Sequence, residues 1–145
     1  MADKSIVQKV VLAAIVFNKE EKVLVLQRNT DEEVFPNMWE LPSGKREPLE
    51  DSLQSLKREV LEETNIDIDV ILAFSTFDYQ IEKPTEIRDT TQINFLTKAK
   101  GENIKISGEH QNFTWISEED VKNYNFSEQT KKVIIDAFSF YEKLK

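Results

Sequence analysis

The chain has 145 residues, the usual size of one compact domain, and its hydrophobic fraction of 39% is enough to fill a single core. Twenty-seven acidic residues against 19 basic ones give a net charge of −8, the wrong sign for stable binding to bare nucleic acid. The longest apolar run, Val10 to Phe17, is far shorter than a membrane-spanning helix. We therefore expect one domain over residues 1–145 that binds neither nucleic acid nor membrane.

The cysteine content excludes several kinds of structural and catalytic site. There are no cysteines, which removes disulfides, thiolate nucleophiles and thiolate metal sites. Met1 to Lys9 is polar and no cleavage site follows an apolar run, so no signal peptide is predicted and a cytoplasmic location is expected. The acidity either keeps the protein soluble or gathers divalent cations that attract phosphates.

Strands are predicted in the first third of the chain. Val7 to Phe17 is rich in β-branched and apolar residues, which is typical of a buried strand. Glu21 to Gln27 follows a polar turn, so the two segments are expected to pair as a hairpin. The loop Asn29 to Met38 leads to a short strand at Trp39 to Leu41, after which Ser43-Gly44 is expected to turn the chain.

The clearest predicted helix runs from Asp51 to Thr64. Asp51 is a good N-cap, and Asn65 suits the helix end because Asn tolerates the left-handed conformation. Four apolar residues at spacings of four, three and four predict one stripe facing the core, namely Leu49, Leu53, Leu56 and Val60.

Strands dominate the rest of the chain, with two further helices. The predicted strands are Ile66 to Ile81, Ile87 to Ala99 and Gln111 to Ile116. Ser117 is expected to cap a short helix, and Ser127 to Leu144 to form a terminal one. The fold class is therefore mixed, α/β or α+β.

The predicted helix carries three glutamates close together. Glu59, Glu62 and Glu63 fall within an arc of about 100°, and like charges at these spacings destabilise a helix by about 0.2–0.5 kcal/mol per pair. Such a cluster favours a bound cation, and oxygen ligands suit Mg²⁺ or Mn²⁺. The alternative is a solvated acidic face, with Arg58 and Glu62 as an ordinary salt bridge.

The spacing of residues 44–66 adds to this pattern. Gly44 is followed after five residues by Glu50, after seven more by Arg58-Glu59-Val60, and then by Glu62-Glu63 and Asn65-Ile66. The segment resembles the 23-residue signature of the Nudix hydrolases. It departs at Asn65, where the family has glycine, and more mildly at Ser43, where relatives often carry a second glycine.

The resemblance implies an α/β/α sandwich with a mixed β-sheet and a pyrophosphohydrolase that uses Mg²⁺ or Mn²⁺. The substrate would be a small nucleotide, a nucleoside diphosphate linked to another group; the MutT-type branch is most similar, which favours a nucleoside triphosphate. The alternative is a Nudix-fold module that binds a nucleotide without cleaving it. A homodimer is also compatible with the sequence.

Roles for the signature residues follow from the resemblance. Glu59 and Glu63 would be the principal metal ligands, and Glu62 a third ligand or a base that positions water. Arg58 would hold a glutamate in its rotamer, with Glu50 doing something similar at the helix start. A backbone carbonyl at Ser43 or Gly44 would complete the inner metal shell. Glu109 would be an extra ligand or a base; the alternative is a solvated acid in a turn.

Candidate substrate-binding residues lie outside the helix. Arg28 would meet a substrate phosphate or lie on the surface, while Trp39 would stack on a base or belong to the core. Lys45 would touch phosphate or be solvated, since Ser43-Gly44-Lys45 lacks the other residues of a phosphate-binding loop. His110, the only histidine, has no partner in sequence that suggests a ligand set, and no role is assigned to it.

Overall fold

The computed structural model describes residues 3–145, so Met1 and Ala2 of the polar N-terminal segment lie outside the described residues. Four strands precede the first α-helix and three follow it, and a 3₁₀ helix at Glu118–Asn123 then leads to the second α-helix. The strands are β1 (Ser5–Phe17), β2 (Val23–Arg28), β3 (Trp39–Glu40), β4 (Ser43–Lys45), β5 (Ile68–Glu82), β6 (Glu86–Ala99) and β7 (His110–Ile116). The helices are α1 (Ser52–Thr64) and α2 (Glu128–Lys143). In the part of the chain described, no helix has the length and apolar character to cross a membrane.

The seven strands form one mixed sheet. Its main order is β3-β2-β1-β6-β5, and β4 and β7 pair in addition with β1 and β2 respectively. β1 and β6 run parallel from Ser5↔Glu86 to Phe17↔Lys98, whereas β5 and β6 are antiparallel. β1 is therefore the central strand, and its middle also carries β4.

Each face of the sheet is covered by one helix. Because side chains alternate between the two faces along β1, successive residues of this strand pack against different helices. Leu12, Ala14 and Val16 lie in the cluster that contains Leu56 and Val60 of α1. Ala13, Ile15 and Phe17 lie in the cluster on the other face, with the buried apolar residues of α2. The α/β/α sandwich with a mixed sheet is thus confirmed.

Strand pairing agrees with one prediction and differs from another. β1 and β2 are antiparallel neighbours joined by a short turn, as predicted, but they pair only at Phe17↔Val23, and β2 pairs along its length with β7. Ser43 and Gly44 do not simply turn the chain, because they belong to β4 and lie opposite Ala13 and Leu12 of β1. Both pairings are determined by contacts between segments that are distant in sequence, which a local sequence pattern cannot predict.

The limits of α1 were predicted well, but its apolar stripe was right only for Leu56 and Val60, which are buried. Asp51 caps the helix by accepting a hydrogen bond from the Gln54 N–H at 3.0 Å, and Asn65 ends it with φ 68°. Leu49 precedes the helix and is fully exposed, and Leu53 is 45% exposed. The face that packs on the sheet is shifted around the axis and carries Ser55, Leu56, Val60, Glu63 and Thr64.

Candidate active site

Gly44 lies directly against the carboxyl group of Glu59. A Cβ at Gly44 would stand 2.1 Å from both Cδ and Oε2 of Glu59, closer than any real contact. The backbone of Gly44 does not have a positive φ, so the lack of space rather than the conformation demands glycine here. The pairing of β4 with β1 thus places the main chain at Gly44, which has no side chain, next to α1.

Glu63 is buried at the same junction. Its side chain belongs to the packed face of α1, and only 6% of the residue is exposed. Its Oε1 accepts a hydrogen bond from the Ser43 N–H at 2.8 Å. Burial raises the pKa of Glu63 to about 9, against the effect of this hydrogen bond, and the nearby carboxylates of Glu40, Glu109 and Glu59 raise it further.

Arg58 connects the other acidic residues. Its Nε and Nη2 donate to the two oxygens of Glu50 at 3.0 Å each, and its Nη1 reaches Glu59 at 3.0 Å and Glu62 at 3.3 Å. The hydrogen bond from Arg58 is the main reason that the pKa of Glu50 falls to about 2. Burial raises the pKa of Glu59, and Arg58 opposes that rise. Arg58 therefore holds Glu59 beside Gly44.

A loop brings the predicted extra acid to the helix. Glu109 shares a small acidic pocket with the glutamates of α1, which is lined by Glu59, Glu62, Glu63, Ser107, Gly108 and Glu109. The Ser107 N–H donates to the Glu63 carbonyl at 3.2 Å and the Lys105 N–H to the Thr64 carbonyl at 3.0 Å. These bonds fix the loop against the end of α1.

The residues present fit a divalent cation. The four glutamates of the acidic pocket offer hard oxygen ligands, which Mg²⁺ and Mn²⁺ prefer; they are Glu59, Glu62, Glu63 and Glu109. Burial raises the pKa values of Glu59 and Glu63 despite their bonds to Arg58 and Ser43, so a bound cation would further stabilise the charged forms of these carboxyl groups. The close approach of Gly44 leaves its backbone beside the Glu59 carboxylate.

A cleft of about 400 Å³ adjoins this acidic group through Ser43 and Gly44. Its cationic residues are Arg28, Lys45, Lys83 and Arg88, and its aromatic residues are Phe35, Trp39, Phe77 and Tyr79. Cationic and aromatic groups together suit a ligand that carries phosphates and a planar ring. The three residues predicted to bind substrate all line this cleft.

Two of these predicted residues also have structural partners. The Arg28 guanidinium donates to the Val34 carbonyl at 3.0 Å and lies 3.3–3.5 Å from the carboxylates of Glu32 and Glu40. Trp39 is half-buried and packs edge-on against Tyr124, with ring centroids 4.9 Å apart. Trp39 thus belongs to both the core edge and the cleft, so the two interpretations of this residue are compatible.

Sequence reasoning missed several residues of this region. Glu40 accepts a hydrogen bond from His110 at 2.8 Å and lies near Arg28, although it is 70 residues from His110. Arg88 and Tyr79 enter the cleft from β6 and β5. The adjacency of His110 to Glu109 was the one local signal; the other contacts arise from the sheet.

The raised pKa of Glu63 predicts how stability depends on pH without metal. Between the ordinary value of 4.5 and about 9, the folded protein binds a proton that the unfolded chain has released. The free energy of unfolding should therefore decrease as pH rises through this range, by up to about 1.4 kcal/mol per pH unit. Urea unfolding in chelator at pH 6 and pH 8 measures this, and Glu63→Gln should show a flatter dependence. Identical slopes for the two proteins would contradict the assignment.

Comparison with known proteins agrees with this architecture. The NUDIX domain model matches residues 7–138. The chain is 32% identical over 117 residues to an uncharacterized Nudix hydrolase of Listeria innocua, covering 68% of this chain and 69% of that protein. It is 26% identical over 140 residues to nucleoside triphosphatase NudI of Klebsiella pneumoniae, covering 86% and 92%.

Solved structures show the same fold. The MutT protein of Methanosarcina mazei superposes with a TM-score of 0.77 at 23% identity and covers 99% of both chains. An Ap4A hydrolase of C. elegans gives a TM-score of 0.71 at 22% identity, over 94% of this chain and 99% of that one. The chain therefore belongs to the Nudix family and is a Nudix-type pyrophosphohydrolase that acts on nucleoside diphosphate derivatives.

Proposed function

We propose that the protein hydrolyses a nucleoside triphosphate or a related nucleotide in a reaction that depends on Mg²⁺ or Mn²⁺. The observation that carries this proposal is the placement of the Glu59 and Glu63 carboxylates against Gly44 and Ser43, two residues that line the cleft. NudI of K. pneumoniae, a nucleoside triphosphatase by name, supports the choice of substrate class.

The residues that would hold the cation are Glu59, Glu62, Glu63 and Glu109, together with the main-chain carbonyl at Ser43 or Gly44. When bound, a divalent cation supplies neutralisation of phosphate charge and activation of a water molecule. Glu62 pairs with Arg58 at 3.3 Å and is the glutamate of α1 with the most exposed side chain, so it can reach a water to position it or accept its proton.

The other residues would bind and orient the nucleotide. The aromatic side chains of the cleft, Trp39 and Phe35 among them, offer flat surfaces for a base. Lys45 follows Gly44 in β4 and is exposed toward the same cleft, so its ammonium group can pair with a phosphate. Arg58 contributes indirectly, because its bonds to Glu50 and Glu59 fix the Glu59 carboxylate.

The proposed partner is thus a small nucleotide. The net charge of −8 disfavours nucleic acid. A cytoplasmic location and a homodimer remain predictions from the sequence, and cell fractionation and light scattering test them.

We expect turnover to depend strictly on a divalent cation, because the cation supplies the neutralisation of phosphate charge and the activation of water that the reaction needs. A panel of nucleoside triphosphates and dinucleotides, scored for phosphate and pyrophosphate release, should give turnover with Mg²⁺ or Mn²⁺ and none in excess chelator. Restoring the metal should restore activity. Full turnover in chelator would refute the metal requirement, while the product released identifies the bond that is cleaved.

A further inference from the structure

His110 has a buried nitrogen with no partner. Among the described residues, three buried polar side-chain atoms lack a hydrogen bond, namely Ser55 Oγ, Ser107 Oγ and His110 Nδ1. His110 is only 5% exposed, and an unsatisfied buried polar atom is costly. Ser107 lines the acidic pocket and His110 follows Glu109, so two of the three atoms adjoin the same site.

The contact with Glu40 determines the form of the imidazole. His110 Nε2 lies 2.8 Å from Glu40 Oε2, and an ionised carboxylate only accepts hydrogen bonds, so Nε2 carries the hydrogen. In the neutral ring, Nδ1 then has a free lone pair. Glu40 is itself held by Arg28 at 3.4 Å. A carboxylate behind a histidine is the arrangement that commonly orients metal-binding imidazoles.

The ligand atoms lie close together. A ring nitrogen of His110 and one carboxylate oxygen each from Glu63 and Glu109 all fall within 4.8 Å of one another. Ligands at about 2.0–2.2 Å from a shared cation lie up to roughly 4.4 Å apart, so only small side-chain movements are needed.

We propose that Glu63, Glu109 and His110 bind a transition divalent cation of the Zn²⁺ type, with His110 Nδ1 as a nitrogen ligand and Glu40 holding the imidazole. The proposal deepens the proposed function, since Glu63 and Glu109 belong to the same metal centre. Imidazole suits Zn²⁺, Ni²⁺ and similar ions, whereas Mg²⁺ prefers oxygen. The centre would therefore bind both classes of ion but retain transition ions more tightly.

Pulsed electron paramagnetic resonance of protein-bound Cu²⁺, a transition ion that binds imidazole, tests the nitrogen ligand directly. The chain has one histidine, so in untagged protein an imidazole ¹⁴N signal has a single source. We expect this signal in the wild type and its loss in His110→Gln, whose amide can still donate to Glu40. Bound Cu²⁺ without an imidazole ¹⁴N signal, in a protein whose turnover with Mg²⁺ is intact, would overturn this inference and leave the proposed function standing. Absence of both Cu²⁺ binding and Mg²⁺-dependent turnover would overturn both.

Calorimetric titration separates the two classes of ion. For His110→Gln we expect the Kd for Zn²⁺ to rise about tenfold to a hundredfold, while the Kd for Mg²⁺ stays within about twofold. Equal changes for the two ions, or no change, would refute a nitrogen ligand. A thermal melt of the variant in chelator checks its folding, and the wild-type resonance experiment decides the question if the variant does not fold.

Discussion

Replacing Glu59 or Glu63 with glutamine is expected to lower kcat by at least about 10²-fold, or about 2.7 kcal/mol of transition-state stabilisation. Glutamine keeps the size of the side chain but removes the charge that would hold a divalent cation. Steady-state kinetics with saturating Mg²⁺ and the best nucleotide of the panel measures the loss.

Glu142→Gln is the matched control for these variants. Glu142 is exposed in the last turn of α2, while the cleft residues of that helix lie at its start. A solvated acidic helix predicts that all three substitutions leave kcat nearly unchanged, whereas the metal site predicts that only Glu142→Gln does so.

Melts in chelator should show that Glu63→Gln is at least as stable as the wild type near pH 8, because an uncharged amide replaces a carboxyl group that is costly to ionise. Unfolding of Glu63→Gln would contradict that explanation.

Gly44→Ala is expected to reduce kcat by a comparable factor without unfolding the protein. The new methyl group would occupy the position of the Glu59 carboxyl group, 2.1 Å from its Cδ, so Glu59 must move. A displacement of about 1 Å at a catalytic group can cost about 10²-fold in rate. The stability change should stay within about 1 kcal/mol, since Glu59 is a flexible side chain that can swing away.

Gly101→Ala serves as the control for this substitution. No heavy atom lies within 4 Å of a Cβ built at Gly101, and no described glycine has a positive φ. Its kcat should match the wild type. Wild-type kcat in Gly44→Ala would show that the position of the Glu59 carboxylate does not matter for catalysis.

Local chemistry predicted the helix at the centre of the site. Asp51 and Asn65 were identified as its ends because a capping side chain and a left-handed residue are local requirements. Asn65 also donates from its side chain to the Asn103 carbonyl at 3.2 Å, so the residue that replaces the family's glycine makes a bond that glycine lacks. The spacing of glutamates on one helical arc is likewise a property of residues close in sequence.

Contacts between distant segments limited the rest of the prediction. The apolar pattern suggested that Leu49 and Leu53 face the core, but the sheet covers only the part of α1 around Leu56 and Val60. The burial of Glu63 follows from this shift, since it turns the acid toward β4. No local pattern shows it.

The same limit explains why His110 received no role. Its carboxylate partner, Glu40, lies in β3, and the two residues approach only because β3 and β7 both pair with β2. A lone histidine next to an acid gives too little information to predict a ligand set. The three-dimensional arrangement supplies the missing partner.

Titration with Mn²⁺, with the free ion counted by electron paramagnetic resonance, tests most directly whether Glu59 and Glu63 form the metal centre of this hydrolase. Wild-type protein and Glu142→Gln should bind Mn²⁺ with the same Kd and release it on addition of Mg²⁺. Glu59→Gln and Glu63→Gln should each raise that Kd at least tenfold. Equal Kd values for all four proteins would contradict the assignment of the site.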